Sequence, residues 1–343
     1  MKNVEHSTNA SPVEFAWDFQ HNAGIFIMLQ NIERANAVRI EGPSEDIEIT
    51  LENSKKIYAQ AKSVTRIDDY SNVIANLRKA LGTLDKAWES GDGECLIYTT
   101  NSPNPFNSQR TMMQFYGSNV QLYYHQLTED CRKKIDKYYV EGKLKFPKEK
   151  LSVLVVAFSG NDERTRYHNI EDFVGKFLEG LGLRGEYFWS EKAMIRWQQM
   201  FGRNASKTDQ HIKISKKEMM WPLIVWLCED WKSSARLEDY DVADRAALVR
   251  RYKVVIDDVG ENFRFVTHVL RTYDDYRIKT ADRIKTSAER TKIFLSEKWD
   301  NFKNYFDLQG VDAEIGKAVV TLAVEQVLNR RRQIAHIKEI VHL

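Results

Sequence analysis

The chain has 343 residues, and its 51 Lys and Arg against 49 Asp and Glu leave a formal charge of +2. Hydrophobic and charged fractions of 43% and 29% exclude wholesale disorder, and the length accommodates two domains with a substantial core. A near-neutral balance neither demands nor excludes nucleic acid, because binding follows local clusters of charge.

The cysteines, Cys95, Cys131 and Cys228, are far apart and odd in number, without CxxC or Cys/His spacing. They read as reduced packing residues, not zinc ligands. The N-terminal stretch lacks an apolar signal core, and "GIFIML" and "WPLIVWLC" are too short to span a bilayer. The expectation is a cytoplasmic protein with no membrane partner.

Residues 12 to 34 predict a helix, with Pro12 at its start and apolar residues on more than one face, so that it is sandwiched between layers. A hairpin follows over 39 to 64, "RIEGPSEDIEITLENSKKIYAQAKSV". A helix at about 69 to 90 ends at "SGDG". "ECLIYTT" and "NVQLYYHQL" read as strands. "TEDCRKKIDKYYVEG" reads as a helix with Thr128 as N-cap and Gly142 just past its end. "KLSVLVVAF" is a buried strand and "NIEDFVGKFLEGLG" a helix. Alternation of strands and helices to about residue 187 predicts an α/β domain, a central mixed sheet flanked by helices. From Ser190 onward nearly every segment has a helical period, which predicts a mostly α-helical second domain over 188 to 343.

Parity places three polar residues together in the hairpin. Ile47, Ile49 and Leu51 alternate with Asp46, Glu48 and Thr50; Ile57, Ala59 and Ala61 alternate with Tyr58, Gln60 and Lys62. Folding about "ENSKK" sets Asp46 across from Gln60 or Lys62. A carboxylate can hold a hard divalent cation, an amide oxygen can join it, and a lysine can orient water or stabilise developing negative charge. Glu41 offers a second carboxylate just upstream. The same pattern also fits an amphipathic hairpin with one buried face and ordinary Lys–Asp pairs on the other.

The helix with "WDFQ", then "EGPSEDIEI", then "IYAQAK", resembles the start of a PD-(D/E)XK nuclease of the QxK subtype. More narrowly, it is similar to the endonuclease domain of bacterial anti-phage defence effectors: those of cyclic-nucleotide-activated, Lamassu-type and HerA-paired systems. "LIYTTNSP" sits where that family has a similar strand end. The resemblance covers about residues 12 to 105, with weaker support to 180. It implies a restriction-endonuclease-like fold, with Asp46 as the metal-binding acid, Gln60 at the Glu/Gln position and Lys62 as the catalytic lysine. Gln20 falls on the helix polar position, with Phe19 in place of a tyrosine, and Glu41 on the acidic position before the Asp. Gln60 and Gln20 where other members carry Glu make the site less negative, which weakens metal binding.

The implied activity is Mg²⁺- or Mn²⁺-dependent cleavage of double-stranded DNA, as effector subunit of a defence complex. The implied partners are an ATPase or sensor subunit or further copies of the chain, engaged through the helical half. A non-catalytic scaffold with the same fold, and an RNA-cutting enzyme with the same site, are the alternatives.

Other features read as structural. His125 and His168 lack metal-ligand spacing, and "SGDGE" and "GLGLRG" lack the context of a phosphate-binding loop. The basic residues of 277 to 298 and Arg330, Arg331 and Arg332 read as solvated helix faces, although such surfaces can follow a DNA backbone. Trp189, Trp197, Trp221, Trp226, Trp231 and Trp299 fall among apolar neighbours, as core or interface residues. The apolar stripe of "IGKAVVTLAVEQVL" fits either packing within the helical domain or docking onto a partner.

Overall fold

The computed structural model describes residues 11–117, 119–160, 162–183, 187–229, 263–284, 286–306 and 308–343. Residues 230–262 of the stretch predicted to be helical, Trp231 among them, lie outside the described residues. The chain divides into two compact units, the first running to Lys216 and the second beginning at Lys217.

The first unit is built on a mixed seven-stranded sheet of order β5-β6-β4-β3-β2-β1-β7. Its strands are β1 (Ala35–Ile40), β2 (Ile47–Leu51), β3 (Lys56–Lys62), β4 (Gly93–Thr100), β5 (Asn119–Tyr123), β6 (Leu151–Val156) and β7 (Ile214–Ser215). Strands β3, β4 and β6 run parallel, whereas β1–β2, β2–β3, β5–β6 and β1–β7 are antiparallel. The helices are α1 (Ser11–Gln30), α2 (Val73–Trp88), the short α3 (Gln109–Met112), α4 (Glu129–Glu141), α5 (Glu163–Gly180) and α6 (Tyr187–Ala205).

Two helical layers bury the sheet, so its central strands are covered on both faces. On one face, Leu77, Ala80, Leu81 and Leu84 of α2 and Cys131 and Ile135 of α4 form a core with Tyr58, Leu96, Tyr98 and Val153. On the other, α1 packs on β1, β2 and β3 and also against α5 and α6, which explains its unbroken burial from Asn22 to Leu29. Gly24 lets α1 approach closely, since a Cβ there would meet Ile40 Cδ1 at 2.8 Å and Phe201 at 3.1 Å.

The first unit extends past the boundary read near 187. Helix α6 packs on α1, α5 and β1, and two residues beyond it, Ile214 and Ser215, pair with Val38 and Ala37. Arg39, fully buried, ties this segment down by donating to the carbonyls of Asn204, Lys207 (2.9 Å) and Ile212 (3.4 Å). Thr128 precedes α4 as expected, but its side chain does not cap the helix; its hydroxyl accepts from Gln114 Nε2 at 2.6 Å.

The C-terminal region is largely helical. It holds α7 (Lys216–Glu229), α8 (Phe263–Lys279), α9 (Ser287–Lys298) and α10 (Ala313–Ile340), with a 3₁₀ segment from Trp299 to Tyr305. Phe265, Phe294, Phe302, Tyr305 and Phe306 form an aromatic cluster of edge-on and tilted rings. The apolar stripe of α10, including Val319, Val320, Ala323, Val324 and Val327, is buried, and α10 packs on α8, α9 and the 3₁₀ segment. Arg331 is not a free surface charge: it donates to Ser287 Oγ at 2.8 Å and lies over the Tyr273 ring. Among the described residues no helix is long and apolar enough to cross a membrane.

Candidate active site

The β2–β3 hairpin forms in the register its alternation predicts. Ile47 faces Ala59, Glu48 faces Tyr58 and Ile49 faces Ile57, so one step further along brings Asp46 opposite Gln60. The β1–β2 connection holds Asp46 in place from the other side. Glu41 N–H donates to the Asp46 carbonyl at 2.8 Å and Gly42 N–H to the Glu45 carbonyl at 3.0 Å, which closes a tight turn over Pro43 and Ser44. The buried Glu48 carboxylate stiffens this turn by accepting from the Ser44 and Glu45 amides at 2.8 and 3.3 Å. A Cβ at Gly42 would run into that carboxylate, so the close approach needs glycine.

All five residues singled out in the sequence meet here. Asp46 Oδ2 accepts from Gln60 Nε2 and from the Ala61 amide at 2.9 Å, and lies 3.8 Å from Lys62 Nζ. Gln20 reaches over from α1 and donates from Nε2 to Glu41 Oε1 at 2.8 Å and to the Asp46 carbonyl at 3.0 Å. Gln60 is buried, whereas Asp46 and Lys62 keep 24% and 29% of their side chains open to solvent. Lys62 ends β3, beside the carboxyl ends of the parallel strands β4 and β6. Ligands of open α/β sheets bind at such ends.

Two participants were not legible in the sequence. Thr83 of α2 donates its hydroxyl to Gln60 Oε1 at 2.6 Å. Glu45 is only 5% exposed, and its carboxyl lies beside Asp46, Lys62 and Thr83. Burial pushes the Glu45 carboxyl up to about 8, with the Asp46 charge adding and Lys62 opposing. Burial also holds Asp46 above its ordinary range, against the pull of Lys62 and the Ala61 amide. Asn101, at the strand end of "LIYTTNSP", ties down the segment that follows Lys62. Its side chain accepts from Val64 N–H at 2.7 Å and donates to the Val64 and Phe158 carbonyls, both at 2.8 Å.

Among the described residues no three or more His, Cys, Asp and Glu side chains converge as a ready cation cage. The donor set nonetheless suits a Mg²⁺-type ion, which keeps several waters and takes one or two carboxylates. Carboxylates that burial disfavours as anions gain from a cation. The Gln60 amide can offer either end, because the Thr83 hydroxyl donates or accepts. No protein-family model, curated protein or solved structure matches this chain.

Proposed function

We propose that the chain is a metal-dependent endonuclease acting on double-stranded DNA, the effector subunit of a bacterial anti-phage defence complex. The convergence of Asp46, Gln60 and Lys62 at the carboxyl end of β3 carries the reading, with Glu41 and Gln20 beside them. It is also supported by the sequence resemblance to PD-(D/E)XK nucleases of the QxK subtype, whose motif positions these residues occupy.

In this mechanism Asp46, Gln60 and Glu41 are the protein groups available to a divalent ion, Mg²⁺ or Mn²⁺. Such an ion supplies Lewis acidity at the phosphoryl oxygen and eases deprotonation of the attacking water. Lys62, with 29% of its side chain open to solvent, orients that water or stabilises the charge that develops on the phosphoryl group. Gln20 fixes Glu41 and the Asp46 backbone, so the turn does not drift as substrate binds. The helical region docks a sensor or ATPase subunit, or further copies of the chain, and so gates cutting. We place the protein in the cytoplasm, where the free thiols of Cys95, Cys131 and Cys228 fit a reducing compartment.

A second reading, a catalytically inactive scaffold of the same fold, draws on the Gln60–Asp46 hydrogen bond, which satisfies the carboxylate without a cation. One experiment separates them. Purified protein is incubated with supercoiled and linear duplex DNA and with RNA, in Mg²⁺ or Mn²⁺, beside an EDTA control and Lys62→Ala. DNA cleavage by wild type alone supports the nuclease. Inert wild type under every metal and concentration removes autonomous cutting and favours the scaffold or a partner-gated enzyme.

A further inference from the structure

Glu45 combines burial with an unmet valence. The residue is only 5% exposed, yet its buried carboxyl oxygen Oε1 has no hydrogen-bond donor. Leaving a buried acceptor unsatisfied costs about 1–3 kcal/mol, and such groups in folded proteins call for a water, an ion or a role. The residue cannot swing away cheaply, because its own amide is held by Glu48 and its carbonyl by Gly42. Asp46 and Lys62 lie within electrostatic reach of the carboxyl and the Thr83 hydroxyl within hydrogen-bonding reach, which puts it at the same site.

Glu41, the acid that the sequence motif indicates, is differently placed. Its carboxylate already accepts from Gln20 Nε2 at 2.8 Å, and its backbone sits at a φ of 54°, a left-handed conformation that fixes the residue at the turn. Recruiting Glu41 Oε1 to a cation would compete with the Gln20 contact. Recruiting Glu45 breaks no hydrogen bond of Oε1 and fills the one coordination that this oxygen lacks.

We propose that Glu45 supplies the second carboxylate of the divalent-cation site built on Asp46. This rests on the reading of Asp46 as a cation ligand. Glu41 then serves as a rim group restrained by Gln20.

Mn²⁺ binding to the full-length protein, without DNA, tests the assignment by calorimetry or by the electron paramagnetic resonance of free Mn²⁺. The variants are Glu45→Gln, Glu41→Gln and Asp46→Asn. Glu45→Gln is expected to weaken binding at least about tenfold, as loss of a charged ligand does, and Glu41→Gln less than about threefold. If Asp46→Asn loses Mn²⁺ but Glu45→Gln binds as wild type does, the Glu45 assignment is overturned while the Asp46 reading stands. If wild type takes up no Mn²⁺, or Asp46→Asn binds it unchanged, both fall together. Should Glu45→Gln not fold, Glu45→Ser, which leaves room for water, takes its place with the same outcomes.

Discussion

The Thr83 hydroxyl, on α2, donates to Gln60 Oε1 at 2.6 Å, while the nitrogen of the same amide donates to the Asp46 carboxylate. A helix residue with no place in the hairpin motif thus holds the far end of the amide that meets the acid. Thr83→Val keeps the shape and removes this contact. We expect a loss of about 1 kcal/mol in chemical denaturation, because a buried amide oxygen loses its donor. Unchanged stability would mean that the contact contributes nothing.

Gln60→Glu tests the charge balance of the site from the other direction. A third carboxylate beside Asp46 and Glu45 raises ligand charge, so Mg²⁺ affinity is expected to rise about tenfold by calorimetry. Without divalent ions the same variant is expected to melt lower than wild type, because like charges then share a buried site. Equal affinity in both proteins counts against cation binding next to Gln60.

Two glycines near the site should respond oppositely to alanine. At Gly42 an added Cβ collides with the Glu48 carboxylate that holds the turn, and we expect a loss of about 1–3 kcal/mol. At Gly82, inside α2, nothing lies within 4 Å of the added atom, and Gly82→Ala is expected to gain about 0.5–1 kcal/mol. Denaturant midpoints of the two variants, read against wild type, check both signs.

His21 gives the fold an acid sensitivity. Burial pushes its imidazole down to about 4 from an ordinary 6.5, and Nε2 has no hydrogen-bond partner. The unfolded chain therefore takes up this proton near 6.5 and the folded chain only near 4. The His21 contribution is complete above 6.5 and drains away as pH falls toward 4. The stability difference between wild type and His21→Phe should shift against wild type across that window. A pH-independent difference between the two proteins would remove His21 as the source.

What could be read in the sequence was what periodicity controls. The two-residue repeat of "EDIEITL" and "IYAQAK" fixes which side chains share a face, so the meeting of Asp46 with Gln60 and Lys62 followed from parity alone. Glu45 and Thr83 carry no such signal. One is placed by a turn that a distant carboxylate, Glu48, shapes, and the other by the docking of α2. Strand β7 is two residues long, too short to show alternation, and it hid inside a helical stretch. Helix α6 reads as a helix wherever it packs, so its pattern could not say that it covers the sheet. Thr128 has the right residue type for a cap, but the side chain of Gln114, 14 residues earlier, takes its hydroxyl instead.

Arg39 carries a practical consequence for anyone dividing this protein. Its guanidinium is buried among carbonyls contributed by residues 204 to 212. A fragment ended at residue 187 keeps every group of the hairpin but loses the Arg39 acceptors together with α6 and β7, which cover β1. Misfolding of such a fragment would say nothing about catalysis. A fragment that runs through Lys216 carries the acceptors with it, and there loss or retention of cutting could be assigned to chemistry.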